Sequence, residues 1–173
     1  MRESFWVVLV LALASCGGPQ RDRGLDVTPL GQARAVEIFE EVVAARPEYG
    51  ASSTNEPARL NNGTAVSVDV VVRGLDAGFV WLNEQDRRDL AGEIPPRAEG
   101  SEFHALIAVL IEGDRQTTVL ILQDTDFDYL PNPRANERQP EDRTIEDVET
   151  RLRREARDFL HSIFDQRGAQ TGS

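Results

Sequence analysis

No lysine occurs in this chain; all 19 of its basic residues are arginine. That absence removes Schiff-base catalysis, a lysine general base and the lysine of a phosphate-binding loop from the available chemistry. Cysteine is nearly missing as well, with Cys16 standing alone. One cysteine permits no internal disulfide, no thiolate metal cluster and no redox pair. Positive charge is scarce: 19 basic residues face 30 acidic ones, for a net charge of -11. Nucleic acid and anionic lipid both demand a basic face, so a general affinity for either is excluded and any membrane attachment must come from elsewhere. With only 13 Gly and 9 Pro the chain is neither collagenous nor of low complexity. What is present, 173 residues with 40% hydrophobic content, suits one ordinary globular domain.

Long apolar runs are also missing, apart from Phe5 to Leu13. As a helix, nine residues rise about 14 Å against a hydrocarbon core of about 30 Å, too short to span. Arg2 precedes this run, and the small residues Ala14 and Ser15 follow it before Cys16. A charged start, a short apolar stretch and small residues before a cut are the layout of a secretory signal peptide.

The tetrapeptide Leu13-Ala14-Ser15-Cys16 resembles a bacterial lipobox. The resemblance covers the signal region alone, and no family is recognised for the mature domain. It implies that residues 1–15 are removed and that Cys16 becomes the first residue, carrying a diacylglycerol on sulfur and an acyl group on its nitrogen. Each buried CH2 contributes about 0.8 kcal/mol, so several acyl chains hold where one binds marginally. In Gram-negative lipoproteins an Asp after the cysteine favours the inner membrane. Here Gly17 and Gly18 follow, which implies an outer-membrane anchor facing the periplasm in such a host.

Residues 16–27 are rich in glycine and charge and read as a flexible tether. One domain is expected over residues 28–167, with a disordered tail at 168–173. Thr28 and Pro29 predict a helix start, with Thr as N-cap and Pro at the first helical position. That helix should run to about Ala45, before Pro47 disfavours its continuation. Residues 47–63 are polar and end in the turn signal Asn61-Asn62-Gly63. Val66, Val68, Val70 and Val72 then alternate with Ser67, Asp69, Val71 and Arg73, predicting a strand with one buried face. Phe79 to Leu82 reads as a second strand, and residues 83–102 as a charged loop with one helical turn near Asp86. Phe103 to Ile111 and Gln116 to Gln123 form a predicted hairpin on a two-residue Gly113-Asp114 turn, which sets Glu112 opposite Arg115 and Ile107 opposite Leu120. Prolines keep residues 124–143 irregular. Thr144 with Asp147 resembles a capping box opening a last helix, on which Ile145, Val148, Leu152, Ala156, Phe159 and Leu160 recur at helical spacing.

The expected fold is α+β: a four-stranded antiparallel sheet with the N-terminal and C-terminal helices packed on one face. Its order, a helix then four strands, is loosely similar to cystatin-like folds, a likeness of topology that carries no activity.

Three groups of residues invite chemistry. Asp124, Asp126 and Asp128 place carboxylates at alternate positions of a loop, as calcium ligands are placed, although Tyr129 and Ala135 stand where an EF-hand loop wants Gly and Glu. The competing role is a solvated acidic loop. His104 falls at the same end of the predicted sheet as Asp124, with Glu102 nearby, an arrangement open to acid/base or metal chemistry but lacking a nucleophile motif. Arg151, Arg153, Arg154 and Arg157 make a basic stretch whose acidic neighbours point to a self-neutralised face. Phe79 and Trp81 share one strand face and are expected in the core, as is a boundary position for His161. The expectation that follows is a lipid-anchored envelope protein with a non-enzymatic binding or assembly role. It carries no cofactor except calcium if the acidic loop binds it, and its partner is an envelope protein met through a sheet edge or charged loops. The alternative is a small periplasmic hydrolase or metal-dependent enzyme near His104 and Asp124.

Overall fold

The structure, a computed structural model, describes residues 27–94, 105–112, 115–131 and 144–171. Its elements run β1 (Thr28–Pro29), α1 (Gln32–Ala44), β2 (Ser52–Leu60), β3 (Ala65–Val72), β4 (Ala77–Leu82), α2 (Glu84–Asp89), β5 (Leu106–Ile111), β6 (Arg115–Gln123), β7 (Asp128–Tyr129) and α3 (Ile145–Thr171). Cys16, Glu102, His104, Gly113 and Asp114 lie outside the described residues, as do the signal peptide and most of the tether. α3 continues to Thr171, into the stretch read as a tail.

The mixed α and β composition is as expected; the sheet is not. Instead of four antiparallel strands there is a closed five-stranded barrel in the order β2-β3-β4-β6-β5. The additional strand is β2, whose polar sequence predicts a connection rather than a strand. Only Ala58 and Leu60 of its nine residues are buried, and it holds both Asn55 and Pro57, so no alternation announces it. Its pairing with β5, Ala58↔Ile111 through Leu60↔Val109, closes the barrel. The second departure is that β4 and β6 are parallel, over six pairs from Ala77↔Thr118 to Leu82↔Gln123. α2 and β5 form the crossover such a pair requires.

Two apolar layers share this wall. Val66, Val71, Val80, Val109, Val119 and Ile121 belong to the barrel interior, which Leu90 and Ile94 help to cover. On the outside, α1 packs over β3 and β4 while α3 lies against α1 and β7 and sets Phe159 on Phe79, so that Ile38, Phe39, Leu152 and Leu160 share one core cluster with Val70, Val72, Phe79, Trp81 and Leu122. Phe39 stacks on Phe79 at 4.5 Å between ring centroids and 6° between planes. α1 and α3 thus belong to one apolar layer.

β3 does not keep one buried face. Val66 and Val68 point with the barrel interior, but so does Val71, while Val70 and Val72 join the helical layer. The phase changes at Asp69, opposite Asn55, where the β2–β3 ladder skips a pair and Asn55 has φ 55°. A change of phase sends successive valines to both layers, so the single-face expectation fails although every valine except half-buried Val66 is buried.

Three local expectations also shift. Thr28 and Pro29 do not cap α1; they pair with Tyr129 and Asp128, and Leu30 donates its N–H to Phe127 O at 3.1 Å. Proline's fixed φ suits an extended segment as well as a first helical turn, and the tertiary pairing prevails, leaving Gly31 as the N-cap. The β5–β6 hairpin sets Ile111 opposite Arg115 and Ile107 opposite Val119, one residue off the two-residue turn, because Glu112 enters the connection at φ 30°. By contrast, the capping box on α3 forms, with Asp147 N to Thr144 Oγ1 at 3.2 Å and Thr144 N to Asp147 Oδ2 at 3.1 Å. Gly74 is dictated by contact, since a Cβ there would lie 2.2 Å from Tyr49 O.

Candidate functional site

β3 and β4 pair only from Val70↔Phe79 to Val72↔Ala77 and then part. Where they part, Asp69 takes the place of a neighbouring strand. Its Oδ2 accepts the Trp81 main-chain N–H at 2.7 Å, and its Oδ1 accepts Gln32 Nε2 from α1 at 2.7 Å. Asp69 is only 3% exposed. Burial pushes its carboxyl above the usual carboxylate range; the two hydrogen bonds oppose the shift and the charge of Asp86 adds to it.

The far bank of the parting is α2. Asn83 opens it with a capping box, accepting Gln85 N at 2.8 Å and Asp86 N at 3.0 Å, while Asp86 Oδ2 accepts Asn83 N at 3.1 Å. Asp86 and Asp89, three residues apart on one helical face, look across toward β3. Between them lies a cleft of about 260 Å3 lined by Asp69, Asp86, Asp89, Gln32, Asn55 and Ser67, with Leu82 and Leu90 among its apolar walls. Among the described residues, every charged side chain lining it is acidic.

Sequence reasoning missed this cleft. Period-two alternation puts Asp69 on the face opposite Val68 and Val70, and the available signal is one carboxylate embedded in Val-Ser-Val-Asp-Val-Val-Val. An isolated acid in such a run is expensive to bury and implies dedicated partners.

The residues singled out earlier are placed elsewhere. Asp124 opens a 3-10 turn, is buried, and forms an ion pair with Arg87, whose Nη1 also donates to Leu82 O at 3.2 Å. The carbonyl of Asp126 accepts Arg151 Nη1 at 3.1 Å, and Asp128 sits in β7 opposite Pro29. Among the described residues no three His, Cys, Asp or Glu side chains converge as metal ligands. The pairing of His104 with Asp124 lies outside the described residues. His161 is exposed on α3, 3.4 Å from Asp165. Arg151 pairs with Glu155 at 2.7 Å and lies over the Phe127 ring at 5.0 Å; Arg153 bridges Glu41 at 3.0 Å and Glu149 at 3.1 Å. Phe79 and Trp81 are buried in the helical layer.

No protein-family model, no curated protein and no solved structure matches the chain.

Proposed function

We propose that the protein is a lipid-anchored component of the bacterial envelope with a non-enzymatic binding role, exercised through the cleft between β3 and α2. In a Gram-negative host the anchor at Cys16 would hold the domain on the periplasmic side of the outer membrane. The observation that carries the binding role is the parting of β3 from β4, which leaves an acidic recess in an otherwise closed barrel. Its volume, about 260 Å3, is below the range of about 300–1,000 Å3 in which small-molecule sites fall. Asp69, the one deeply buried acid there, spends both oxygens holding Trp81 and Gln32 and is not free to attack or deprotonate a substrate. The alternative is a small periplasmic hydrolase or metal-dependent enzyme with a site near His104 and Asp124, where Arg87 already pairs with one Asp124 oxygen.

The test is capture from membranes with the lipidated protein, after mass spectrometry of its first residue. An acylated Cys16 and a stoichiometric envelope partner are expected. An unmodified Cys16, or cleavage at a bond other than Ser15-Cys16, would overturn the anchor; turnover of ester or peptide substrates lost on His104→Ala would overturn the non-enzymatic reading.

A further inference from the structure

Asn62 is the only asparagine of the chain that is followed by glycine. Besides its turn geometry that pair has a chemistry of its own. The side-chain amide carbon of an asparagine stands one methylene from its main chain, so the nitrogen of the next residue can close on it in a five-membered ring. Before glycine no Cβ shields that nitrogen. The site is open here: Asn62 and Gly63 are both exposed, and a Cβ added at Gly63 would meet nothing within 4 Å. The β2–β3 hairpin also holds the reacting atoms together. Thr64 N donates to Asn62 Oδ1 at 3.0 Å, closing a ring that contains both the Asn62 amide carbon and Gly63 N. The side chain is thereby folded over the main chain, and the same N–H faces the oxygen on which negative charge develops during attack. One bond opposes the reaction, Gly63 N to Leu60 O at 2.8 Å. It lies at an exposed hairpin tip, where local opening costs least.

The other end of the Asn62 amide ties the hairpin to its cover. Nδ2 donates to the Glu93 carboxylate, in the turn that follows α2, and Leu90 and Ile94 of that turn pack against the barrel interior. We infer that Asn62 is a site of spontaneous deamidation whose product releases the Leu90–Ile94 turn from the barrel. Gly63 N loses its proton to water and bonds to the Asn62 amide carbon. The bond from that carbon to Nδ2 breaks, and the nitrogen leaves as ammonia. Water then opens the succinimide at either carbonyl, leaving aspartate or isoaspartate at position 62. Water is the only other reactant. Both products replace the Nδ2 donor with a carboxylate, so the bond to Glu93 becomes a repulsion between like charges. The modification stands apart from the binding role proposed above.

The full chain in detergent micelles is aged at neutral to mildly alkaline pH, and its peptides are followed by mass spectrometry. The mass gain of NH2 replaced by OH should appear at Asn62 about tenfold or more faster than at Asn61 or Asn83, with isoaspartate among the products. Asn62→Asp keeps an oxygen for Thr64 N, so the hairpin is retained. Amide exchange across Leu90–Ile94 should nevertheless rise about threefold or more in this variant and in aged wild type. In Glu93→Gln the deamidation should continue while that rise disappears. Three results would overturn the inference. Conversion at Asn62 no faster than at Asn61 would remove the site. Aspartate without isoaspartate would mean direct hydrolysis, not attack by Gly63 N. Unchanged exchange at Leu90–Ile94 in Asn62→Asp would mean that the turn is not released.

Discussion

Asp69 is where one residue decides how the molecule is built. Its two oxygens tie α1 to β4 at the place where the barrel wall opens, through Gln32 and Trp81. Asp69→Ala would leave the Trp81 N–H buried without an acceptor, a loss of about 1–3 kcal/mol. Asp69→Asn is expected to behave differently, because Gln32 can turn its amide and offer oxygen to the new NH2 while the Asn oxygen keeps Trp81. The charge also has a pH signature. A carboxyl raised above its unfolded value of about 3.9 binds its proton more tightly in the native state. Its contribution is therefore full below the unfolded pKa and declines as pH rises through the folded one. Denaturant titrations across pH 4–8 should show that decline in wild type and its disappearance in Asp69→Asn. An identical slope in both proteins would mean that Asp69 is not the group responsible.

At the scale of elements, the helical layer is held by α1 against α3. Arg34 reaches Glu149 with two bonds, Nε to Oε1 at 2.7 Å and Nη2 to Oε2 at 2.8 Å. The Arg34 guanidinium holds the Glu149 carboxyl below its usual range, with a smaller contribution from Arg153. A lowered acid stabilises above its unfolded pKa and the effect is lost as pH falls through the folded value. Because the Arg34 side chain is 35% exposed, Glu149→Gln should cost only about 1 kcal/mol at pH 7, and less in strong acid. Thr144→Ala removes the capping box of α3 and should also cost about 1 kcal/mol, lowering Tm by about 2–4 °C; an unchanged melting curve would show the first turn frayed.

The turn at Asp124 makes the third prediction at this scale. Calcium bound by Asp124, Asp126 and Asp128 would compete with the Arg87 cation already paired with Asp124. Adding calcium to about 5 mM, the range of weak extracellular sites, should leave Tm unchanged in wild type. A rise that Asp126→Asn abolishes would restore the calcium site.

These elements also mark what was legible beforehand. α3 declared itself through Thr144, Asp147 and seven-residue apolar recurrence, all local signals that the tertiary structure reinforces. β2 did not, because Ser52–Leu60 owes its strand conformation to neighbours remote in sequence: β3 on one side and β5, some fifty residues away, on the other. Thr28-Pro29 carried a sound helix-start signal that lost to pairing with Asp128-Tyr129. The cleft was invisible for a related reason. It needs the phase change at Asp69, and that change depends on Asn55 in the strand that no pattern revealed.

For the whole molecule, closure and charge together determine how it meets a membrane. The barrel satisfies most strand edges internally, and among the described residues no helix is long and apolar enough to cross a bilayer. The net charge of -11 repels anionic lipid headgroups. Retention at a membrane then falls to the acyl chains proposed at Cys16, and the two modes of attachment respond oppositely to salt. At 1 M salt the screening length is about 3 Å, so contacts between exposed charges are lost, whereas buried CH2 groups keep their about 0.8 kcal/mol each. Native protein should therefore stay in the membrane pellet through a 1 M NaCl wash and leave it only in detergent. Cys16→Ala should not be acylated and should stall signal removal, so its membrane-bound fraction would carry residues 1–15 and no lipid by mass. Release of the native protein by salt alone would mean that charges or a protein partner hold it, and the anchor would have to be abandoned.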